Sequence, residues 1–193
     1  GRIWTRDELV RIADICLKNH VFIISDEIHF DLVLPGYEHV SMGTLSDNYL
    51  NNCAICTAPS KTFNLAGFQT SNILIPNASY RNKMTGAIGY FALNILGYQA
   101  CELAYRYGED WLAELLQVID QNKKLVEQFF EQKFPQIKVS PLQGTYLMWI
   151  DFRALGMTGK ELETFMQQKA EWFLDEGYIF GKAGEGFERL NLA

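Results

Sequence analysis

Two stretches of this 193-residue chain pair an apolar run with side chains able to do chemistry. Val21-Phe22-Ile23-Ile24-Ser25 reads as a buried strand that delivers Asp26-Glu27-Ile28-His29 at its C-terminal end. The second run, residues 53–57, reads as another short buried strand and leads into Ala58-Pro59-Ser60-Lys61-Thr62-Phe63-Asn64. An acidic strand end and a basic one, 35 residues apart between Asp26 and Lys61, suit a small-ligand site. In α/β proteins such sites lie in the crevice outside the carboxyl ends of parallel strands. A lone lysine or aspartate is ordinarily a solvated surface charge, so the pairing carries the reading. A third group is Arg189, set in an apolar strand-like run, where a guanidinium requires an anion. That anion is either a structural carboxylate or the carboxylate of a substrate, for which a bidentate guanidinium is well shaped.

The elements that must position these groups follow from periodicity. Thr5 with Glu8 is a capping-box pattern, and Leu9, Ile12, Ala13, Cys16 and Leu17 recur at helical spacing, predicting a helix over 6–18. Residues 71–75 predict a third strand, and 79–107 a helical stretch stopped by Gly108. Asp110 opens a long amphipathic helix that runs to Phe134-Pro135. Beyond it the pattern predicts strands at 138–140, 146–150, 178–180 and 187–192, with a helix over 159–175 capped by Thr158 and Glu161. Strands with one helix after a long connector read as a smaller α+β domain.

Composition narrows the function classes. A net charge of -6 with scattered Lys and Arg gives no basic field for nucleic acid. No apolar run reaches the roughly 18 to 20 residues needed to span a bilayer, and a cytoplasmic location is expected. The four cysteines lie in apolar surroundings and read as small core residues. Cys53 and Cys56 have CxxC spacing without a second pair, and residues three apart on a strand face opposite ways, so no metal site is expected. The glycine-rich 181–186 matches no phosphate-loop order and reads as a turn. His20 and His39 read as solvated connector residues.

Ser25-Asp26-Glu27-Ile28-His29, Ala58-Pro59-Ser60-Lys61-Thr62-Phe63-Asn64-Leu65-Ala66-Gly67 and Gly186-Phe187-Glu188-Arg189-Leu190-Asn191-Leu192-Ala193 together resemble three landmarks of the fold-type I pyridoxal-phosphate enzymes, the class I/II aminotransferase superfamily. His29, where general aminotransferases more often carry Tyr, and the wording around Lys61 resemble the cystathionine β-lyase branch of carbon-sulfur lyases. The resemblance spans the whole chain and implies that the chain is the C-terminal half of such an enzyme. It implies an α/β fold: part of a large domain with a mostly parallel sheet (1–110), a connecting long helix (111–135) and a small α+β C-terminal domain (136–193).

The implied cofactor is pyridoxal 5'-phosphate. Lys61 would be its attachment point and the base for the substrate's α-proton, and a buried Asp26 the partner of its ring nitrogen. His29 would contact its phenolic oxygen, Ser60 its phosphate, and Arg189 the substrate's α-carboxylate. Ala58 stands where a Ser is often found and Gln69 where many aminotransferases place an Arg, so phosphate anchoring must lean on other groups. The implied reaction is α,β-elimination from cystathionine or cysteine-type amino acids to pyruvate, ammonia and a thiol. Amino-acid transamination is the alternative, and a regulatory or non-catalytic protein on the same scaffold the second alternative. A homodimer is the expected assembly.

Overall fold

Thr5 starts the first element as its sequence predicts. In the computed structural model, which describes residues 1–90 and 92–193, the Thr5 side chain accepts from the Glu8 amide at 3.3 Å while Glu8 accepts from the Thr5 amide at 2.9 Å. Two donors that a helix start leaves unpaired are thereby satisfied. Helix α1 (Arg6–Lys18) buries Leu9 and Ala13 against Met42, Leu45, Cys53 and Ile55, which form the local core.

The chain divides into two units, Ile3–Ala113, and Glu114–Ala193 with Gly1–Arg2. In the first, β1 (Ile23–Asp26) is followed by the one-turn helix α2 (Asp47–Leu50) and by β2 (Cys53–Thr57). After β2 come the one-turn helix α3 (Pro59–Thr62) and β3 (Asn72–Leu74). The strands lie in the order β1-β2-β3. β1 and β2 are parallel, with Ile23 opposite Cys53 and Asp26 opposite Cys56, whereas β3 joins β2 antiparallel. The sheet here is therefore mixed. Cys53, Ala54 and Ile55 are buried in the central strand, while Ile24 and Leu74 on the outer strands stay exposed.

The helical stretch expected over 79–107 is two helices, α4 (Ala78–Ile88) and α5 (Ile95–Tyr107). Gly89 at φ +69° ends the first, and the Asn94 side chain starts the second by accepting from the Leu96 amide at 3.0 Å. Both signals stood in the sequence, hidden by the apolar run around them. Phe91 lies outside the described residues.

Helix α6 (Glu109–Lys133) leads into β4 (Lys138–Val139), β5 (Leu147–Asp151), α7 (Gly159–Gln168), β6 (Asp175–Glu176) and β7 (Phe187–Asn191). These four strands form an antiparallel sheet in the order β4-β5-β7-β6, with Met148, Ile150 and Leu162 fully buried. Two expectations fail in this unit. Helix α7 stops at Gln168 rather than near 175, and Glu171 turns the chain at φ +53°. The strand expected at 178–180 is a 3-10 turn over Gly177–Phe180, and the strand starts three residues earlier, as β6. Gly177 and Gly184 pack backbone against backbone with no room for a Cβ on either.

Candidate functional site

The parallel pairing of β1 and β2 puts their C-terminal ends on the same edge of the sheet. Beyond Asp26, the Glu27 amide still donates to the Cys56 carbonyl at 2.8 Å, so the turn carrying Asp26 and His29 leaves β1 beside the segment that leads to Lys61. Asp26 is exposed rather than buried as expected. It lies on an outer strand, on the same face as Ile24, and its Oδ1 accepts from the Ile28 amide at 3.2 Å. The buried carboxylate is its neighbour, Glu27, 7% exposed.

Glu27 receives Ser25 Oγ at 2.9 Å and the Met42 amide at 3.0 Å on Oε1, and His39 Nε2 at 3.0 Å on Oε2. Burial works against its ionisation, but the hydrogen bonds from His39, Ser41, Ser25 and the Met42 backbone outweigh burial and hold its carboxyl below the usual range. His39 is thus a half-buried hydrogen-bond partner of Glu27 and not the solvated connector residue expected. The pair ties the 39–42 segment to the end of β1. Its sequence signal was weak, because the partners are 12 residues apart with a Pro-Gly turn between them.

On the other strand, Pro59 occupies the first turn of α3, where its missing N–H costs nothing. Ser60 and Lys61 follow half-buried, and Thr62 is fully buried. Among the described residues no carboxylate forms an ion pair with Lys61. Asn64 and Gln69, just past it, both take left-handed backbone conformations at φ +54° and +53°. Such conformations are uncommon for non-glycine residues and cluster at functional segments. His29 lies half-buried in the turn after β1, with its carbonyl accepting from the Leu32 amide at 3.0 Å.

Asp26, His29, Ser60 and Lys61 thus share one unit and one end of its sheet. Arg189 belongs to the other unit, on β7, directly opposite Asp175 of β6. The anion it requires is there. Asp175 Oδ2 accepts from Nε at 3.0 Å and Nη2 at 2.8 Å, and the guanidinium stacks 4.5 Å over the Phe180 ring. Burial pushes the Tyr146 phenol up while the Arg189 charge draws it back. The four cysteines are free thiols. No helix among the described residues is long and apolar enough to cross a membrane.

The sequence profile of the class I and II aminotransferases matches residues 1–193. The chain belongs to this family. Within the family, the structure resembles that of cystalysin from Treponema denticola, which contains a pyridoxal 5'-phosphate cofactor. The TM-score is 0.97 and the identity 49%, over 100% of this chain and 50% of that one. The chain is also 40% identical to the cystathionine beta-lyase PatB of Bacillus subtilis, over 99% of its length and 50% of the relative's. Protein MalY of Escherichia coli is 31% identical over 99% of this chain and 49% of its own. The chain spans about half the length of the curated relatives it matches.

Proposed function

We propose that the protein carrying this chain is a pyridoxal 5'-phosphate-dependent carbon-sulfur β-lyase acting on cystathionine or cysteine-type amino acids. The observation that carries the reading is one end of one sheet, where a parallel strand pair sets an exposed carboxylate, a histidine and a lysine that has no ion-pair partner among the described residues. This donor set fits the cofactor, because an amine suits its aldehyde, a carboxylate its protonated ring nitrogen, and neutral donors its phenolic oxygen and phosphate.

When bound, the cofactor supplies an electron sink for the substrate's α-carbon. Lys61 Nζ would hold the cofactor covalently and would serve as the base for the substrate's α-proton. Asp26 would accept from the ring N–H and favour the protonated ring. His29 would serve the phenolic oxygen, and Ser60 Oγ the phosphate. Arg189, oriented by Asp175 through Nε and Nη2, would take the substrate's α-carboxylate. With sulfur on the substrate's β-carbon, loss of the α-proton and breakage of the carbon-sulfur bond would release a thiol, and one water would convert the remaining three-carbon enamine to pyruvate and ammonia. We also propose a homodimer as the working assembly.

The likeness to PatB favours elimination over transamination, which would use the same residues. In the purified full-length protein, borohydride reduction should fix the mass of the cofactor on the peptide containing Lys61, and Lys61→Ala should abolish that adduct. Cystathionine should then yield pyruvate without an added keto acid. An equal adduct in Lys61→Ala would sink the enzyme reading, and amine transfer only when a keto acid is present would make the protein an aminotransferase.

A further inference from the structure

Helix α3 is one turn long and too short to hold its own direction. Its internal support is the bond from the Phe63 amide to the Pro59 carbonyl at 2.9 Å, followed by one from the Leu65 amide to the Ser60 carbonyl at 3.1 Å. The side chain next to Lys61 supplies the tertiary anchor. Thr62, fully buried, donates from Oγ1 to Asp31 Oδ2 at 2.9 Å. Tyr105, near the end of α5, donates its O–H to the same oxygen at 3.3 Å.

Asp31 lies two residues past His29 in the turn that leaves β1, so a single carboxylate oxygen ties the Lys61 helix to the Asp26–His29 turn. The ring contacts repeat the connection. Tyr105 meets Phe63 edge to face at 5.3 Å and stacks on Phe30 at 6.4 Å. Residues 30 and 31 from one strand end and residues 62 and 63 from the other therefore close on one tyrosine. Gly97 lets α5 come this near, since a Cβ there would stand 2.8 Å from the Phe68 carbonyl. Burial, with the Asp31 charge second, pushes the Tyr105 phenol far up, so it remains a donor throughout the working pH range.

We infer that Asp31, through Thr62 and Tyr105, is a positioning residue that sets where Lys61 stands relative to Asp26 and His29. The inference rests on the reading of Lys61 as the cofactor's attachment point. Bidirectional anchoring of this kind matters because a displacement of about 1 Å at a reacting group can cost roughly a hundredfold in rate.

The test uses the full-length protein stripped of cofactor and titrated with pyridoxal 5'-phosphate. Capture by Lys61 is followed by visible absorbance, and the reactivity of the Lys61 amine toward reductive methylation is read by peptide mass spectrometry without cofactor. Thr62→Val, which keeps shape and removes the hydroxyl, should slow capture about tenfold or more, shift the labelling of Lys61, and lower kcat with KM unchanged. Thr62→Ser should restore all three. Asp31→Ala, which also strands Tyr105, should lose at least as much as Thr62→Val, and the double variant should be no worse than Asp31→Ala alone, as expected of partners in one interaction. Wild-type capture and labelling in Thr62→Val, additive losses in the double variant, or failure of Thr62→Ser to rescue would overturn the inference. Wild-type capture by Lys61→Ala would instead remove the attachment reading, and the inference with it.

Discussion

Glu188 sits on β7 next to Arg189 but points to the opposite face, into the core of the second unit, where it is 1% exposed. Its cross-strand neighbours are Glu176 on one side and Ile150 on the other. Burial first, then the charges of Glu176, Glu163 and Asp175, raise its pKa from 4.5 to about 7. A raised carboxyl pKa means that the fold is at full strength below pH 4.5, where the group is protonated both folded and unfolded. Stability is then lost as pH climbs toward 7, because the unfolded chain releases the proton first.

At about 1.4 kcal/mol for each pH unit between those values, the ionised side chain costs the fold roughly 3 kcal/mol above pH 7. Glu188→Gln keeps the shape and removes the titration. Urea denaturation of both proteins at pH 5, 6, 7 and 8, followed by tryptophan fluorescence, should put the variant ahead by no more than about 1 kcal/mol at pH 5. The variant's advantage should grow to roughly 2 to 3 kcal/mol at pH 8. Taking the difference at each pH removes the contribution of titrating groups that do not interact with Glu188. A difference that stays flat from pH 5 to 8, or a variant less stable throughout, would refute the burial argument.

Glu27 has the opposite sign: its carboxyl is held below 4.5, so its contribution is complete above that value and is lost as pH falls through the folded pKa. His39→Ala should remove part of this acid sensitivity while destabilising the protein by about 1 to 3 kcal/mol, measured by the same denaturation series. Gly177→Ala, which forces a Cβ into the Gly184 backbone, should cost about 1 to 3 kcal/mol in thermal or urea denaturation. Asp175→Asn, which weakens the charge-assisted grip on Arg189, should raise KM for the amino-acid substrate several-fold with kcat little changed. An unchanged KM would remove Asp175 from substrate binding.

Local patterns carried much of the architecture because they act over a few residues. Thr5 and Glu8 set the start of α1, the apolar runs at 21–25 and 53–57 mark β1 and β2 to within two residues, and the strand-end position of Lys61 follows from residue order alone. Where the reading failed, a long-range contact had overridden a local preference. Tyr178 to Phe180 has strand-like composition, yet the Gly177 and Gly184 backbones meet and turn it into a 3-10 segment. His39 looked solvated until the fold brought Glu27 to it.

The sequence by itself therefore determined which chemical groups stand at the strand ends and, by their wording, the kind of cofactor chemistry they suit. Tertiary structure decided which carboxylate of the Asp26-Glu27 pair is buried, that Arg189 already holds Asp175, and that Asp31, Thr62 and Tyr105 converge on one oxygen. Hydrogen-bond partners 31 and 74 residues apart leave no periodic trace. Around Lys61, the residue type was written in the chain, but the position of its one-turn helix is set by contacts that exist only once the chain is folded.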